Sequence, residues 1–179
     1  SLYEWDSFIE RNKSAANLFQ EAGALNSYAN CLIRIINGYT LKEDPENALL
    51  YIEECKRFLS TISSSRLGDF YSSYLTYLIK YGEEQEIIKI ISDYMNAVPA
   101  SKIDWLTIAN SYIKIKRYDD ALETVSQCSN DIEITAGLKY QAIISDIYQH
   151  LGRYKESLEA YKKYMAASNS ADYAVMRQD

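Results

Sequence analysis

The sequence predicts an all-α fold built from pairs of helices, and three observations support this prediction. Only two Pro and six Gly occur among the 179 residues, which is few for a chain rich in strands and turns. Apolar residues recur at steps of mostly three and four, as in Ile103, Leu106, Ile108, Tyr112 and Ile115. A segment of about 36 residues is also repeated along the chain. Together these features favour helix pairs that recur and stack.

The composition is that of a folded domain. Hydrophobic residues make up 47% of the chain and charged residues 25%, so the chain can bury a core. No stretch approaches the roughly 18 consecutive apolar residues that a membrane helix needs. We therefore expect no membrane span within this segment.

The net charge of -6 has the wrong sign for a module that gains affinity by neutralising phosphates, so binding of nucleic acid is not expected. The three cysteines, Cys31, Cys55 and Cys128, are scattered, and His150 is the one histidine. A zinc site needs about four such ligands at close spacing. We expect reduced structural cysteines, no metal site and no cofactor.

The repeat is clearest in the second half of the chain. Alignment of residues 36 apart places Arg117–Glu123 over Arg153–Glu159, and both segments read Arg, Tyr, an acidic residue, a small residue, Leu and Glu. Weaker copies occur upstream. The residues that correspond to one another in the four copies are Ala48, Ile87, Ala121 and Ser157, spaced 39, 34 and 36 residues apart. This spacing accommodates one helix pair per repeat.

The helices of each unit carry two apolar faces, so each is expected to lie between neighbours in a stack. Residues typical of turns predict where the helices end. Ser101 is placed to cap a helix that begins at Lys102. The predicted breaks are Gly38, residues 42–47, Ser64–Ser65, Gly82, Pro99–Ser101, Asn130–Asp131 and Gly152.

The two ends carry further helical patterns. Residues 3–22 predict an N-terminal helix that precedes the first pair. Near the other end, residues 169–172 are expected to break the last helix, and residues 172–179 to begin another that the chain end truncates. We therefore expect this chain to be part of a longer protein.

The repeat resembles the tetratricopeptide repeat (TPR). In the best unit the characteristic small and aromatic positions are Ser145, Tyr148, Gly152, Tyr154, Ser157 and Tyr161. In the preceding unit Lys116 stands where the turn Gly belongs. The resemblance implies a single domain, residues 1–179, with a right-handed α-α superhelix of about four helix pairs plus flanking helices. The pairs are residues 24–62, 68–101, 102–135 and 138–171.

The resemblance also implies a concave groove lined by the first helix of each pair. Lysine and Asn donors there are suited to a peptide carboxylate or an acidic side chain. The alternative is that these are ordinary solvated residues. The family's carboxylate-clamp pattern is not met, because Leu106 stands at a clamp Lys position. The candidate partner-binding residues are Lys80, Asn110, Lys114, Lys139, Asp146, Gln149 and His150.

The functional prediction is a module that binds a protein or peptide segment. The array is similar to the sensory or scaffolding part of larger bacterial regulatory proteins, which is an analogy. A structural spacer that associates into a homo-oligomer and has no ligand of its own is the alternative. His150 has no Ser or Cys nucleophile nearby in the sequence and no phosphate loop occurs, so no enzyme is expected. Tyrosines at the characteristic repeat positions, including Tyr154 and Tyr161, are expected to pack between helices.

Overall fold

The computed structural model describes residues 2–128 and 137–175, and the described part of the chain is helical without strands. It confirms the predicted all-α fold. Two short 3₁₀ turns, Leu59–Thr61 and Ala100–Lys102, lie between longer helices. The α-helices there are α1 (Leu2–Glu21), α2 (Leu25–Leu41), α3 (Pro45–Lys56), α4 (Ser64–Tyr81), α5 (Glu84–Ala97), α6 (Trp105–Lys114), α7 (Tyr118–Ser126), α8 (Gly137–His150) and α9 (Tyr154–Val175).

Local side chains explain where several helices begin. The Asp44 carboxylate accepts a hydrogen bond of 3.2 Å from the Asn47 backbone N–H, and Pro45 occupies the first helical position of α3. Ser63 accepts in the same way from the Arg66 N–H and caps α4. The predicted break at residues 42–47 therefore contains the N-terminal cap of a helix, Asp44, and its first residues.

The chain divides into two compact units, Ser1–Asp104 and Trp105–Asp179. In the first unit α1 packs on α2, α2 on α3, and α4 on α5, while α2 and α3 both contact α4. In the second unit α6 packs on α7 and α8 on α9, while α6 and α7 both contact α8. Each unit therefore contains successive helix pairs that pack against each other, as expected for a TPR-like fold. The handedness of the superhelix and the single-domain organisation stay predictions.

The predicted break at Gly38 is wrong, because α2 continues through this residue to Leu41. Gly38 is buried, and a Cβ atom at this position would lie 2.8 Å from Cγ1 of Ile9 on α1. The residue is small because α1 crosses α2 closely here. A glycine that normally indicates a turn serves packing in this case.

The third pair also begins later than predicted. Pro99–Ser101 does interrupt the helices, but Ala100–Lys102 forms a 3₁₀ turn and α6 starts at Trp105. Ser101 therefore does not cap a helix at Lys102. The connection is held by Tyr94, whose hydroxyl accepts a 2.9 Å hydrogen bond from the Asp104 N–H. Tertiary contact with α5 overrides the local capping signal.

The predicted break at residues 169–172 is wrong as well, since α9 runs without interruption to Val175. Asn, Ser and Asp cost only about 0.5 kcal/mol each in a helix interior, which is too little to end a helix without Gly or Pro. The remainder of the expected truncated helix, residues 176–179, lies outside the described residues. The predicted break at Asn130–Asp131 and the end of the third unit at residue 135 lie outside them too.

The two turns of the second unit share one backbone conformation. Gly152, between α8 and α9, has φ 70°, and Lys116, the residue 36 positions earlier, has φ 61°. The left-handed region is easily reached by Gly and strained for Lys. The turn therefore keeps its shape even where the repeat has lost its glycine.

Candidate functional site

The predicted groove residues of the second unit lie on α6 and α8, the first helices of two successive pairs. Asn110 and Lys114 are one turn apart on α6, and Asp146 and His150 occupy the equivalent positions on α8. Asn110 is half-buried, whereas Lys114 is exposed. Because α6 and α8 pack against each other, we expect residues at equivalent positions to lie near one another.

Asp146 and His150 are brought into direct contact. His150 Nδ1 lies 2.9 Å from the Asp146 carbonyl oxygen and 3.3 Å from its carboxylate. The imidazole also stacks on the Tyr118 ring, with centroids 4.4 Å apart and planes within 14°. These contacts fix the orientation of the imidazole at the end of α8, next to the exposed Gln149.

The other two predicted residues lie elsewhere. Lys139 is exposed in the first turn of α8, about 16 Å along the helix axis from His150. Lys80 belongs to the first unit, where its ammonium donates to the Thr40 carbonyl oxygen at 3.3 Å and lies 3.7 Å from the Glu43 carboxylate. Among the Lys and Asn residues predicted to donate to a carboxylate, Asn110 and Lys114 are the pair that lies close together, one turn apart on α6.

The second unit repeats side-chain contacts as well as helices. Arg117 lies over the Tyr112 ring at 5.4 Å and makes two hydrogen bonds to the Asp120 carboxylate, of 2.7 and 2.9 Å. Thirty-six residues later, Arg153 lies over the Tyr148 ring at 4.6 Å and donates to Glu156 at 3.0 Å. In each pair, the contact between the Arg side chain and the Tyr ring holds the turn against the first helix.

The Arg153 contact has an electrostatic consequence for Glu156. The pKa of its carboxyl lies below the usual value, because the carboxylate accepts from its own backbone N–H and from Arg153. The Glu156 carboxylate thus stays ionised as the counter-charge that holds Arg153. In the preceding pair, burial raises the pKa of the hydroxyl of Tyr112, whose ring lies under Arg117.

The tyrosines of α9 differ from the prediction. Tyr154 is 71% exposed and Tyr161 is 51% exposed, so neither is buried between helices. Their characteristic positions in the repeat predicted packing between helices. The signal that could have separated them is the apolar stripe 154, 158, 161 and 165, which α9 presents on one side.

The described residues do not favour a metal site or a membrane-spanning helix. No group of three or more His, Cys, Asp or Glu side chains is placed to hold a metal ion among the residues that the structure describes. Over those same residues, no helix is both long and apolar enough to cross a membrane. Cys31 and Cys55 are buried and Cys128 is half-buried, and the structure joins none of these three described residues by a disulfide.

Comparison with known proteins agrees with the repeat. Residues 138–170, which comprise α8 from its second residue and most of α9, match a family model described as Tetratricopeptide repeat. No curated protein and no solved structure matches the chain. Repeats of this kind generally bind proteins or peptides. The match and the helix pairs of the described residues fit a TPR-like family, as the 36-residue repeat predicted.

Proposed function

We propose that this chain binds a protein segment across α6 and α8, at the surface formed by Asn110, Lys114, Gln149 and the oriented His150. One observation carries the proposal: α6 and α8 are first helices of successive pairs, and they pack side by side. Their polar residues at equivalent positions therefore line one continuous strip. No reaction is assigned to this surface.

On α6 the chemistry of the strip favours a segment that offers an acidic group, while on α8 the Asp146 carboxylate lies 3.3 Å from His150 Nδ1. Lys114 supplies a cation and Asn110 an amide donor on the same face of α6, one turn apart. On α8, the His150 imidazole already stacks on Tyr118 and adds a planar surface with a polar edge. By analogy with the regulators that the sequence resembles, the proposed role is the sensory or scaffolding part of a larger regulatory protein.

A selected peptide tests the proposal. Twelve-residue peptides are selected from a random library on the immobilised chain, and the best peptide is titrated in solution. We expect the double variant Asn110→Ala/Lys114→Glu to bind it at least about tenfold more weakly, as expected for the loss of charged and polar contacts. The matched control is Lys89→Glu, which makes the same charge change at an exposed position on α5.

The result that counts against the proposal is equally concrete. Equal binding by the wild type and the double variant would exclude the strip on α6 and α8 as the binding surface. Sedimentation at increasing concentration addresses the alternative role as a self-associating spacer. A spacer dimerises without added peptide, whereas a receptor of this kind stays monomeric.

A further inference from the structure

The Asp146 carboxylate and the His150 imidazole lie together near the C-terminal end of α8, within the proposed strip. His150 Nδ1 is 2.9 Å from the Asp146 backbone carbonyl oxygen and 3.3 Å from its carboxylate. The side chains of His150 and Asp146 are 42% and 45% exposed. A segment bound on the strip can therefore reach both side chains at once, and we call this pair the α8 subsite.

The contacts of Nδ1 determine what the imidazole offers to a ligand. A carbonyl oxygen and a carboxylate oxygen only accept hydrogen bonds, so Nδ1 carries the proton and donates to the Asp146 carbonyl oxygen. In the neutral imidazole the other nitrogen, Nε2, is then an acceptor. The Tyr118 ring, stacked on the imidazole with centroids 4.4 Å apart, holds this orientation. The α8 subsite therefore combines a carboxylate, a nitrogen acceptor and a flat ring.

We infer that the α8 subsite binds an arginine side chain of the captured segment, an inference that rests on the proposed function. A guanidinium carries five N–H donors in a planar fork, which suits a carboxylate and a nearby nitrogen acceptor. Its flat face also stacks on aromatic rings. A lysine ammonium has the same charge but lacks the plane and the fork, so the subsite prefers Arg to Lys. The Asp146 carboxylate repels an acidic residue at this position.

The subsite also defines the spacing of charges in the segment. On α6, Asn110 and Lys114 suit an acidic group, and α6 packs against α8. The axes of packed helices lie about 8 to 10 Å apart. Side chains at i and i+2 of an extended segment share one face and lie about 7 Å apart, and the long Arg side chain spans the difference. The segment therefore carries an acidic residue and an arginine two positions apart.

The peptides selected on the immobilised chain provide the first test. We expect an Arg two positions from an Asp or Glu in most of them, and less often in peptides selected on Asp146→Asn. The best peptide is then titrated in solution in two forms, with its Arg kept or replaced by Gln. The replacement should weaken binding to the wild-type chain at least about tenfold, because it removes a charged contact.

A double-mutant cycle assigns that loss to the subsite. Asp146→Asn should bind the Arg peptide at least about tenfold more weakly than the wild type does, but the Gln peptide within about twofold. His150→Phe keeps a ring against Tyr118 but lacks Nε2, and it should act in the same direction. Replacing the peptide's Arg by Lys should retain only part of the affinity. The matched control, Glu159→Gln, removes a negative charge at an exposed position on α9 and should leave every titration unchanged.

Failure of the subsite and failure of the proposed function give different results. Selected peptides without Arg, or an equal loss of both peptide forms in Asp146→Asn, overturn the subsite. The proposed function survives either result if binding still falls in Asn110→Ala/Lys114→Glu. Selection of no peptide overturns both proposals. Circular dichroism establishes that each variant keeps its helix content, and the comparison of Arg and Gln peptides on the wild-type chain needs no variant at all.

Discussion

Ser145 and Ser157 hold the crossing of α8 and α9 through reciprocal hydrogen bonds. The Ser145 hydroxyl donates to the Ser157 carbonyl oxygen at 3.1 Å, and the Ser157 hydroxyl donates to the Ser145 carbonyl oxygen at 2.9 Å. The two hydroxyl oxygens are 3.3 Å apart. In the preceding pair the equivalent residues are Ala109 and Ala121, both fully buried. Small residues thus occupy both crossings, and they are polar in one pair and apolar in the other.

The serine pair should be energetically coupled. Ser145→Ala and Ser157→Ala are each expected to lower the free energy of unfolding by about 1 kcal/mol, because each removes a buried hydrogen bond. The double variant should lose less than the sum, since it recreates the Ala–Ala crossing of the preceding pair. Urea denaturation of the four proteins measures the cycle, and strict additivity would show that the two hydroxyls act independently.

The alanine crossing should not tolerate a larger side chain. Ala121→Leu is expected to cost about 1 to 3 kcal/mol of stability, because it overpacks the contact between α6 and α7. Glu123→Leu, at an exposed position on the same helix, should change stability by no more than about 0.5 kcal/mol. Thermal or urea unfolding compares the two, and similar effects would mean that the crossing is not the tight point.

The crossing of α4 and α5 is built differently, since Leu75 and Ile87 occupy the positions of Ala109 and Ala121 and are fully buried. We predict a larger axis separation between α4 and α5 than between α6 and α7, where small residues permit an approach near 8 Å. A crystal structure of the chain measures both separations. An equal or smaller value for α4 and α5 contradicts the prediction.

The turn at Lys116 should be improvable. Lys116→Gly is expected to raise the free energy of unfolding by about 1 kcal/mol, because φ 61° is strained for Lys and natural for Gly. Gly152→Ala should cost about the same amount at the equivalent turn, where an added Cβ meets no atom within 4 Å. Denaturation midpoints report both changes, and a Lys116→Gly protein that is no more stable argues against this backbone conformation.

Tyr94 should make stability depend on alkaline pH. Burial raises its pKa to about 12, against about 10 for an unfolded tyrosine. Its contribution is therefore fully present below pH 10 and is lost as the pH rises toward 12, because the unfolded state releases the proton first. At pH 11 the loss is on the order of 1 kcal/mol.

Tyr94→Phe isolates this contribution. The variant keeps the ring that stacks on Tyr71 but loses the acceptor for the Asp104 N–H, so it should be about 1 kcal/mol less stable at pH 7. Between pH 9 and pH 11 its stability should fall less steeply than that of the wild type. Parallel urea curves across this range test the prediction, and identical slopes would refute it.

The helices were predictable from the sequence because their apolar periodicity is strong and the 36-residue register is repeated. Two of the wrong boundaries share one physical cause, which is that tertiary contact overrode a local signal. Gly38 serves the approach of Ile9 and not a turn, and the Tyr94 contact to Asp104 belongs to a connection that delays the start of α6. Residues 169–172 illustrate the opposite error, because weak helix formers alone do not end a helix.

The candidate site was predicted only in part. Register placed Asn110, Lys114, Asp146 and His150 on the first helices, where the structure has them. Register could not show that Tyr118 stacks on His150, because the contact joins different pairs. The same limit explains Tyr154, which has the sequence position of Tyr118 but remains exposed. Whether a repeat position is buried depends on the neighbouring pair and not on its own residues.

The most direct test of the account maps the bound peptide on the protein. In a spectrum of the ¹⁵N-labelled chain, the selected peptide should shift the amide signals of Asn110, Lys114, Gln149 and His150, on α6 and α8. Amides of α5, and those of α7 beyond Tyr118, should change little. Shifts confined to α7 or α5, with α6 and α8 unmoved, would contradict the claim that the first helices form the binding surface.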